Sequence, residues 1–248
     1  MAVLVTRPLP DGETTAAELR ARGFEVVAAP MLRFEAFGFG GEAEAPYGGI
    51  IVTSANAVRA IESKLAGSPL LKLPLFAVGE RTAAVARTAG FAKLYSADGD
   101  AAALRDLVIE TAKAKKLKKK SPLLYLAGEE VARDLAGELR EHGFDVVTHI
   151  AYRMVPAKSL PGEVVDGFAA GRIEAVLHYS RRSAQAFVEA ARTGGVEISA
   201  LALPQCCISA EVAEIVREAG ATQVTVAARP DENALFEALK RALPTRLA

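Results

Sequence analysis

The sequence contains few residues of the kinds that build metal or redox sites. Of its 248 residues, two are cysteines and three are histidines. Cys206 and Cys207 are adjacent in an apolar strand candidate, which predicts reduced core residues and fits a cytoplasmic protein. His142, His149 and His178 show no metal-ligand spacing. We therefore expect no metal site.

A charge excess and a long apolar run are also absent. Lysine plus arginine and aspartate plus glutamate number 30 each, so net charge indicates neither nucleic acid nor a membrane as a partner. No apolar run reaches membrane-spanning length, and the first residues lack the pattern of a signal peptide. Residues 113–120 hold six lysines, which we interpret as a solvated helix end; the alternative is steering of an anionic ligand.

The most informative pattern present is a strand, a polar turn and a helix start at 49–58. Residues 50–52 are apolar and β-branched, which predicts a buried strand, and helical spacing begins after them. Thr53, Ser54 and Asn56 place hydroxyl and amide groups beside free backbone N–H groups. The turn therefore predicts an anion site, with helix capping by Ser54 as the alternative.

The same pattern recurs at 175–184. An apolar run ends at His178 and Tyr179, Ser180 corresponds to Ser54, and Arg181 and Arg182 open the next helix. Two such turns predict two similar domains facing one ligand, and ordinary capping is again the alternative.

A third turn, at 79–83, places a glycine at a strand end and a threonine in the next helix. Gly79 allows a ligand to approach the backbone closely. The Thr82 hydroxyl can donate a hydrogen bond either to a ligand carboxylate or to a carbonyl of its own helix, and the sequence does not decide between the two. No Gly-x-Gly-x-x-Gly after a strand, Walker A pattern or Ser/His/Asp or Cys/His set occurs, so a dinucleotide site and nucleophilic catalysis are not expected.

The chain repeats itself with a shift of about 120 residues, since positions 19–27 correspond to positions 139–147. The order is short block, long block, short block, long block. A short block predicts two strands and a long block three, so one of each completes a five-stranded parallel sheet of flavodoxin-like size.

The repeat leaves two domain pairings open. Consecutive pairing gives domains near 1–118 and 120–248, whereas exchanged pairing joins 1–35 with 158–248 and leaves 45–150 as an inserted domain. Two long second strands favour the exchange, because each would run from one domain to the other.

Those two strands are predicted at 24–37 and 144–156, and segments 36–44 and 151–157 form the linker. The predicted fold is α/β. It has two flavodoxin-like parallel-sheet domains joined by a two-stranded β-ladder, with a cleft between them.

Together these motifs resemble the uroporphyrinogen-III synthase family over essentially the whole chain. Order and spacing carry the resemblance, and the turn at 208–213 departs from it by lacking the family's Gly and Thr. The matching elements are 5–8, 52–58, 77–83, Tyr152 and 179–183.

The resemblance implies the exchanged pairing and a cyclising lyase of tetrapyrrole biosynthesis. Linear hydroxymethylbilane would lose its hydroxyl as water and close to uroporphyrinogen III with ring D inverted, without a metal or organic cofactor. We expect a monomer in transient contact with the preceding pathway enzyme. The expected contacts to the carboxylate-rich substrate are Arg7, Thr53, Ser54, Asn56, Gly79, Thr82, Gly128, Ser180 and Arg182.

Tyr152 is the predicted catalytic residue. It ends the segment 144–152, and the corresponding residue in the repeat is Leu32, so the repeat itself does not require an aromatic there. A phenol can donate a hydrogen bond to a departing hydroxide without bringing charge into the site. The alternative is a linker tyrosine whose ring only packs.

Two other functions share this organisation. A non-catalytic two-lobed binding module for anions fits the turns, but no export signal or DNA-binding segment accompanies them. A nucleotide-sugar transferase is also two-lobed, but the sequence lacks an identifiable diphosphate-binding motif.

Overall fold

A computed structural model of the chain describes residues 1–39, 46–97, 99–117, 120–131 and 133–243. Over these residues the fold is mixed α/β, with two parallel-dominated sheets and ten α-helices. The predicted linker residues 40–44, the first residue of predicted domain 45–150, Lys118 and Lys119 of the basic run, and the predicted domain end at 244–248 lie outside this description.

The strands, in chain order, are β1 (Ala2–Val5), β2 (Glu25–Ala28), β3 (Leu32–Ala36), β4 (Gly49–Val52), β5 (Pro74–Ala77), β6 (Lys93–Ser96), β7 (Leu123–Gly128), β8 (Val146–Pro156), β9 (Ile173–His178), β10 (Gln205–Cys207) and β11 (Val224–Val226). The helices are α1 (Asp11–Ala21), α2 (Ala55–Ile61), α3 (Glu80–Thr88), α4 (Ala101–Lys113), α5 (Leu135–Glu141), α6 (Gly162–Ala169), α7 (Arg181–Thr193), α8 (Glu197–Leu201), α9 (Ala210–Glu218) and α10 (Glu232–Ala242).

The chain divides into two compact units. Unit 1 contains Met1–Arg33 and Val155–Ala248, and unit 2 contains Phe34–Met154. Among the described residues of both units, no helix is long and apolar enough to cross a membrane.

Unit 1 is built on a five-stranded sheet in the order β11-β10-β9-β1-β2, with every neighbouring pair parallel. Strand β1, which lies between β9 and β2, is buried on both faces. Leu4 packs into one apolar cluster, whereas Val3 and Val5 pack into another. The alternation follows from the period of two in a strand, and helices must cover both faces.

The inner strands β4 and β7 of unit 2 are also buried on both faces of their sheet. Its sheet has the order β3-β8-β7-β4-β5-β6, and β8 to β6 run parallel. All of β4 is buried, with Ile50 and Val52 in one cluster and Ile51 in the other. The prediction that 50–52 form a buried strand is confirmed.

The predicted single strand at 24–37 is wrong, because Pro30 divides it into β2 and β3. Ala29 N–H continues the pairing with β1 by donating to the Val5 carbonyl (2.9 Å), but Met31 N–H donates to the Thr6 carbonyl (3.0 Å), one residue short of the regular parallel register. The regular register with β1 is therefore lost at Pro30, whose ring fixes its φ angle.

Strand β3 also corrects the prediction of five strands per sheet, because it adds a sixth strand beside β8. Phe37 N–H donates to the Ala151 carbonyl (2.8 Å), and Ala157 N–H donates to the Met31 carbonyl (2.9 Å). As residue numbers rise along one strand they fall along the other, so β3 and β8 are antiparallel.

Unit 1 contains a fully buried histidine. Gln205 Nε2 donates to two carbonyls, so its Oε1 accepts from His178 Nε2 at 2.9 Å. Its Nδ1 has no partner within the described chain. Burial lowers the pKa of His178 from 6.5 to about 4, against the opposing effect of the Gln205 hydrogen bond.

We predict that this histidine makes the protein less stable in mild acid. The unfolded chain takes up a proton below pH ~6.5 that the folded chain resists until about pH 4, so stability falls as pH falls through that window. The free energy of unfolding from urea titrations should be about 2 kcal/mol lower at pH 5 than at pH 7.5 from this group alone.

A His178→Gln variant should lose that part of the pH dependence. His142 is exposed, so His142→Gln should keep it and serves as the control. Equal pH dependence in the wild type and His178→Gln would contradict the assignment.

Candidate functional site

The turn after β4 brings two predicted site residues, Thr53 and Ser54, to the carboxyl edge of the sheet in unit 2. Ser54 is the N-cap of α2, and its side-chain oxygen accepts from the Asn56 N–H at 3.2 Å. The capping alternative is therefore observed. Capping uses an acceptor site of the hydroxyl and leaves its O–H able to donate.

A pocket of about 240 Å³ opens at this edge. It brings together four of the residues predicted from the sequence, namely Thr53, Ser54, Gly128 and Tyr152. The remaining lining residues, which sequence reasoning did not select, are Ala101, Tyr125, Glu130, Val131 and Arg133.

Tyr152 reaches the pocket through a bulge in β8. The pairing of β7 with β8 runs from Ala127 opposite Ile150 to Gly128 opposite Tyr152, so Ala151 is an extra residue. Ala151 is buried in the apolar core and Tyr152 is half-buried beside the pocket. Bulges re-aim side chains in this way, and parallel sheets rarely contain them.

Gly128 makes room for the Tyr152 ring. A Cβ placed on Gly128 would lie 2.9 Å from Tyr152 Cζ and 3.0 Å from its hydroxyl oxygen, closer than real Cβ contacts. The phenol therefore lies directly over the Gly128 backbone. The ring of Phe34 also contacts Tyr152, with the ring centroids 5.8 Å apart and the planes inclined by 31°.

Tyr125 contributes a second phenol. Its side chain is 3% exposed, and its hydroxyl lies 3.2 Å from Thr53 Oγ1. Burial raises the pKa of Tyr125, and the hydrogen bond with Thr53 works in the opposite direction. The sequence signal was a residue with a polar tip in an otherwise apolar strand, and it was not selected as a site residue.

Arg133 is the one cationic side chain among the described residues that line the pocket. Glu138 holds it with two hydrogen bonds, from Nε at 2.5 Å and from a terminal guanidinium nitrogen at 3.0 Å. Arg105 also donates to Glu138, at 3.0 Å. The bond from Arg133, joined by the one from Arg105, lowers the pKa of Glu138.

Three other predicted residues lie on unit 2 outside the pocket lining. Asn56 is engaged internally, since Arg59 donates to its Oδ1 at 2.9 Å and its amide nitrogen donates to Met154 Sδ at 3.5 Å. Gly79 is the N-cap of α3, and a Cβ there would lie 4.0 Å from the Ala97 carbonyl oxygen, an ordinary van der Waals contact. Thr82, in the first turn of α3, is 6% exposed, which leaves little of the side chain for a ligand.

Unit 1 holds the remaining predicted residues. Arg7 donates to Glu232 Oε1 at 2.8 Å, and its guanidinium carbon lies 4.6 Å from the centre of the Tyr179 ring. Burial and the negative charge of Glu232 raise the pKa of Tyr179. Arg7 thus already has a carboxylate partner.

The second turn of the repeat also forms a cap. Ser180 is the N-cap of α7 and accepts from the Ser183 N–H at 3.1 Å, while the two hydroxyl oxygens lie 2.9 Å apart. Arg182 follows in the first turn of α7 and is half-buried. Substrate contacts by Arg7, Ser180 and Arg182 stay predictions.

Neither unit presents a metal centre in the part of the chain that the structure describes, since no three His, Cys, Asp or Glu side chains cluster there. The lining of the unit 2 pocket instead combines four hydroxyl side chains with one guanidinium, from Arg133, and one carboxylate, from Glu130. Such a set can hold an anionic or hydroxyl-bearing ligand and donate hydrogen bonds to a leaving oxygen.

We predict that Gly128→Ala destabilises the protein through Tyr152. The added methyl group would displace the ring, which we expect to lower the free energy of unfolding by about 1–3 kcal/mol. In a Tyr152→Ala background the same change should cost little. Gly162→Ala, where a Cβ meets no heavy atom within 4 Å, is the control. Equal costs in both backgrounds, measured by urea unfolding, would show that the ring does not lie over Gly128.

Known proteins that resemble this chain do so over most or all of its length. The sequence model of a family described as uroporphyrinogen-III synthase HemD matches residues 13–237. A search of curated proteins gave no match. Among solved structures, uroporphyrinogen-III synthetase from Helicobacter pylori 26695 has a TM-score of 0.64 at 19% identity, covering 98% of this chain and 99% of that one.

A mutant uroporphyrinogen III synthase from the extremely thermophilic bacterium Thermus thermophilus has a TM-score of 0.58 at 18% identity, covering 99% of this chain and 100% of that one. At such identities the likeness establishes the fold. The match of the family's sequence model extends over most of the chain. The chain belongs to the uroporphyrinogen-III synthase family.

Proposed function

We propose that the chain cyclises linear hydroxymethylbilane to uroporphyrinogen III and that the unit 2 pocket receives the reacting end of this substrate. Membership in the family supports the reaction, a cyclising lyase step in tetrapyrrole biosynthesis. The observation that supports the site is the Tyr152 phenol lying over Gly128 beside the Thr53 and Tyr125 hydroxyls.

The chemistry suits neutral donors. The electron-rich pyrrole drives out hydroxide and forms an azafulvene, and the pyrrole N–H proton and the hydroxide leave together as water. A phenol that donates to the departing oxygen assists this step and stays uncharged. In this proposal Tyr152 is that donor.

The main work of the protein is then conformational. The linear tetrapyrrole also closes without an enzyme, but to the isomer in which ring D is not inverted. The enzyme must hold the chain so that closure proceeds through a spiro intermediate, which is catalysis by proximity and orientation. This accounts for a site with few strong acids or bases.

The size of the pocket restricts what it can hold. Its volume of about 240 Å³ is below the roughly 300–1,000 Å³ of sites that bury drug-sized ligands. We therefore assign it one end of the substrate rather than the whole molecule. Arg133, held in orientation by Glu138, is placed to receive a carboxylate of that end.

No specific observation favours the anion-binding module or the nucleotide-sugar transferase over this reaction. Catalysis without metal or organic cofactor is part of the proposal. The monomeric state, the contact with the preceding pathway enzyme, the cytoplasmic location and the cleft stay predictions.

We also propose that the two units are flavodoxin-like domains, 1–35 with 158–248 and 45–150, joined by β3 and β8. Unit 1 has the strand order β2-β1-β9-β10-β11, which is the doubly wound order 2-1-3-4-5. The parallel strands of unit 2 read β8-β7-β4-β5-β6, the same spatial order in a chain that starts at its third strand.

The function is tested by incubating the purified protein with enzymatically made hydroxymethylbilane and separating the product isomers by chromatography. We expect uroporphyrinogen III, and activity that survives chelation and dialysis. Formation of only the uninverted isomer would exclude the proposed reaction.

Tyr152→Phe should reduce kcat at most about 100-fold, the low end of general-acid effects, because azafulvene formation is intrinsically easy. It should also release some uninverted isomer while staying folded. Tyr95→Phe is the control, because Tyr95 stacks on Phe76 at 5.0 Å outside the pocket lining. A folded Tyr152→Phe protein with the wild-type rate and pure type III product would remove Tyr152 from the mechanism.

The domain proposal predicts that an excised 43–156 fragment folds alone, because its parallel strands are contiguous in sequence. A 1–118 fragment should not fold, because β1 and β2 would lack β9. Thermal melts followed by circular dichroism distinguish the two. A cooperative melt for 1–118 and none for 43–156 would support consecutive pairing.

A further inference from the structure

We propose that Tyr125 is a positioning residue, whose hydroxyl holds the Thr53 hydroxyl so that Thr53 donates its proton into the pocket. The proposal rests on the proposed function, because Thr53 is taken to contact the substrate. It adds a residue that neither the sequence pattern nor the resemblance selected.

The Tyr125 ring is held rigidly. It lies in β7 directly opposite Ile51 of β4 and belongs to the apolar cluster that also contains Ile51 and Phe76. β7 is buried along its whole length, and Tyr125 is 3% exposed. A ring fixed by packing on a central strand presents its hydroxyl at one place.

That place is beside Thr53. The two hydroxyl oxygens lie 3.2 Å apart, and both residues line the pocket. A phenol is the stronger donor of the two and an aliphatic hydroxyl the better acceptor, so the favoured arrangement has Tyr125 donating to Thr53. The single proton of Thr53 is then free to point at a ligand oxygen.

The proposed direction requires that the phenol keep its proton. Burial raises the pKa of Tyr125, which keeps its proton on the oxygen. Without this donor, the Thr53 hydroxyl would be free to rotate and its proton would have no fixed direction. Fixing the rotor before the substrate arrives removes an orientational cost from binding.

The apolar cluster itself has no need for the oxygen. Phenylalanine fills the same ring volume, so Tyr125→Phe tests the hydroxyl alone and should melt within a few degrees of the wild type. A Tyr125→Phe protein that fails to fold would show that the hydroxyl serves the core, and would overturn the proposal.

The decisive experiment is a double-mutant cycle in kcat/KM with hydroxymethylbilane, using Tyr125→Phe, Thr53→Val and the double variant. We expect Tyr125→Phe to lower kcat/KM roughly 3- to 10-fold, as for a neutral hydrogen bond, and Thr53→Val to lower it at least as much. Because Tyr125 acts through Thr53, the double variant should match Thr53→Val within about twofold.

Thr53→Ser supplies the conservative test. It keeps a hydroxyl at the same position, so Tyr125→Phe should lower kcat/KM again in this background. Independent, multiplicative effects in the valine background would overturn the positioning role, as would wild-type kinetics for Tyr125→Phe. Tyr95→Phe, the same chemical change outside the pocket lining, should keep the wild-type kcat/KM.

The cycle separates this inference from the proposed function. If the wild type forms no uroporphyrinogen III, the function itself fails. If the wild type forms it and Thr53→Val impairs it, but the effect of Tyr125→Phe is absent or multiplicative, only the inference about Tyr125 fails.

Discussion

Burial of the parallel strands on both faces is the constraint on which the rest of the structure depends. β4 and β7 are buried throughout, so their side chains are committed to the two apolar clusters. Polar groups that meet a ligand can then emerge only where the strands end. Thr53 follows the last residue of β4, Gly128 ends β7, and the Tyr125 hydroxyl lies at the same edge beside Thr53. The core thus sets the location of the pocket and the rigidity of its walls.

In each unit, one arginine considered as a ligand contact is already paired with a carboxylate. Arg133 is paired with Glu138 in unit 2, and Arg7 is paired with Glu232 in unit 1. A guanidinium has five N–H donors, so a carboxylate partner fixes its plane and leaves other donors for a ligand. For a substrate rich in carboxylates, such pairs limit non-specific attraction and favour a defined geometry. The same logic suits neutral hydroxyls as the principal donors.

Local patterns allowed much of the fold to be predicted from sequence. The turn at 53–56 was placed correctly because an apolar run followed by hydroxyl residues and helical spacing has few other solutions. The bulge at Ala151 was not predictable, because it depends on the register between β8 and β7 and no residue type in the sequence indicates it. The break between β2 and β3 was marked in the sequence by Pro30. A single strand was predicted nevertheless, because the residues on both sides of the proline have an extended pattern. Tyr125 was missed because its partner, Thr53, is distant in sequence and meets it only across the sheet. Arg133 was missed because its local pairing with Glu138 does not indicate that it borders a pocket.

The pairing of β1 with β9 has a consequence for biosynthesis. Thr6 donates its side-chain hydroxyl to the Leu177 carbonyl across 171 positions of sequence, whereas unit 2 is continuous along the chain. On the ribosome, unit 2 can therefore complete its parallel sheet while β1 and β2 still lack their central neighbour. The apolar face of β1 stays uncovered until most of the polypeptide has emerged. Nascent unit 1 is thus the part of this molecule with the longest exposure to chaperones and to wrong partners.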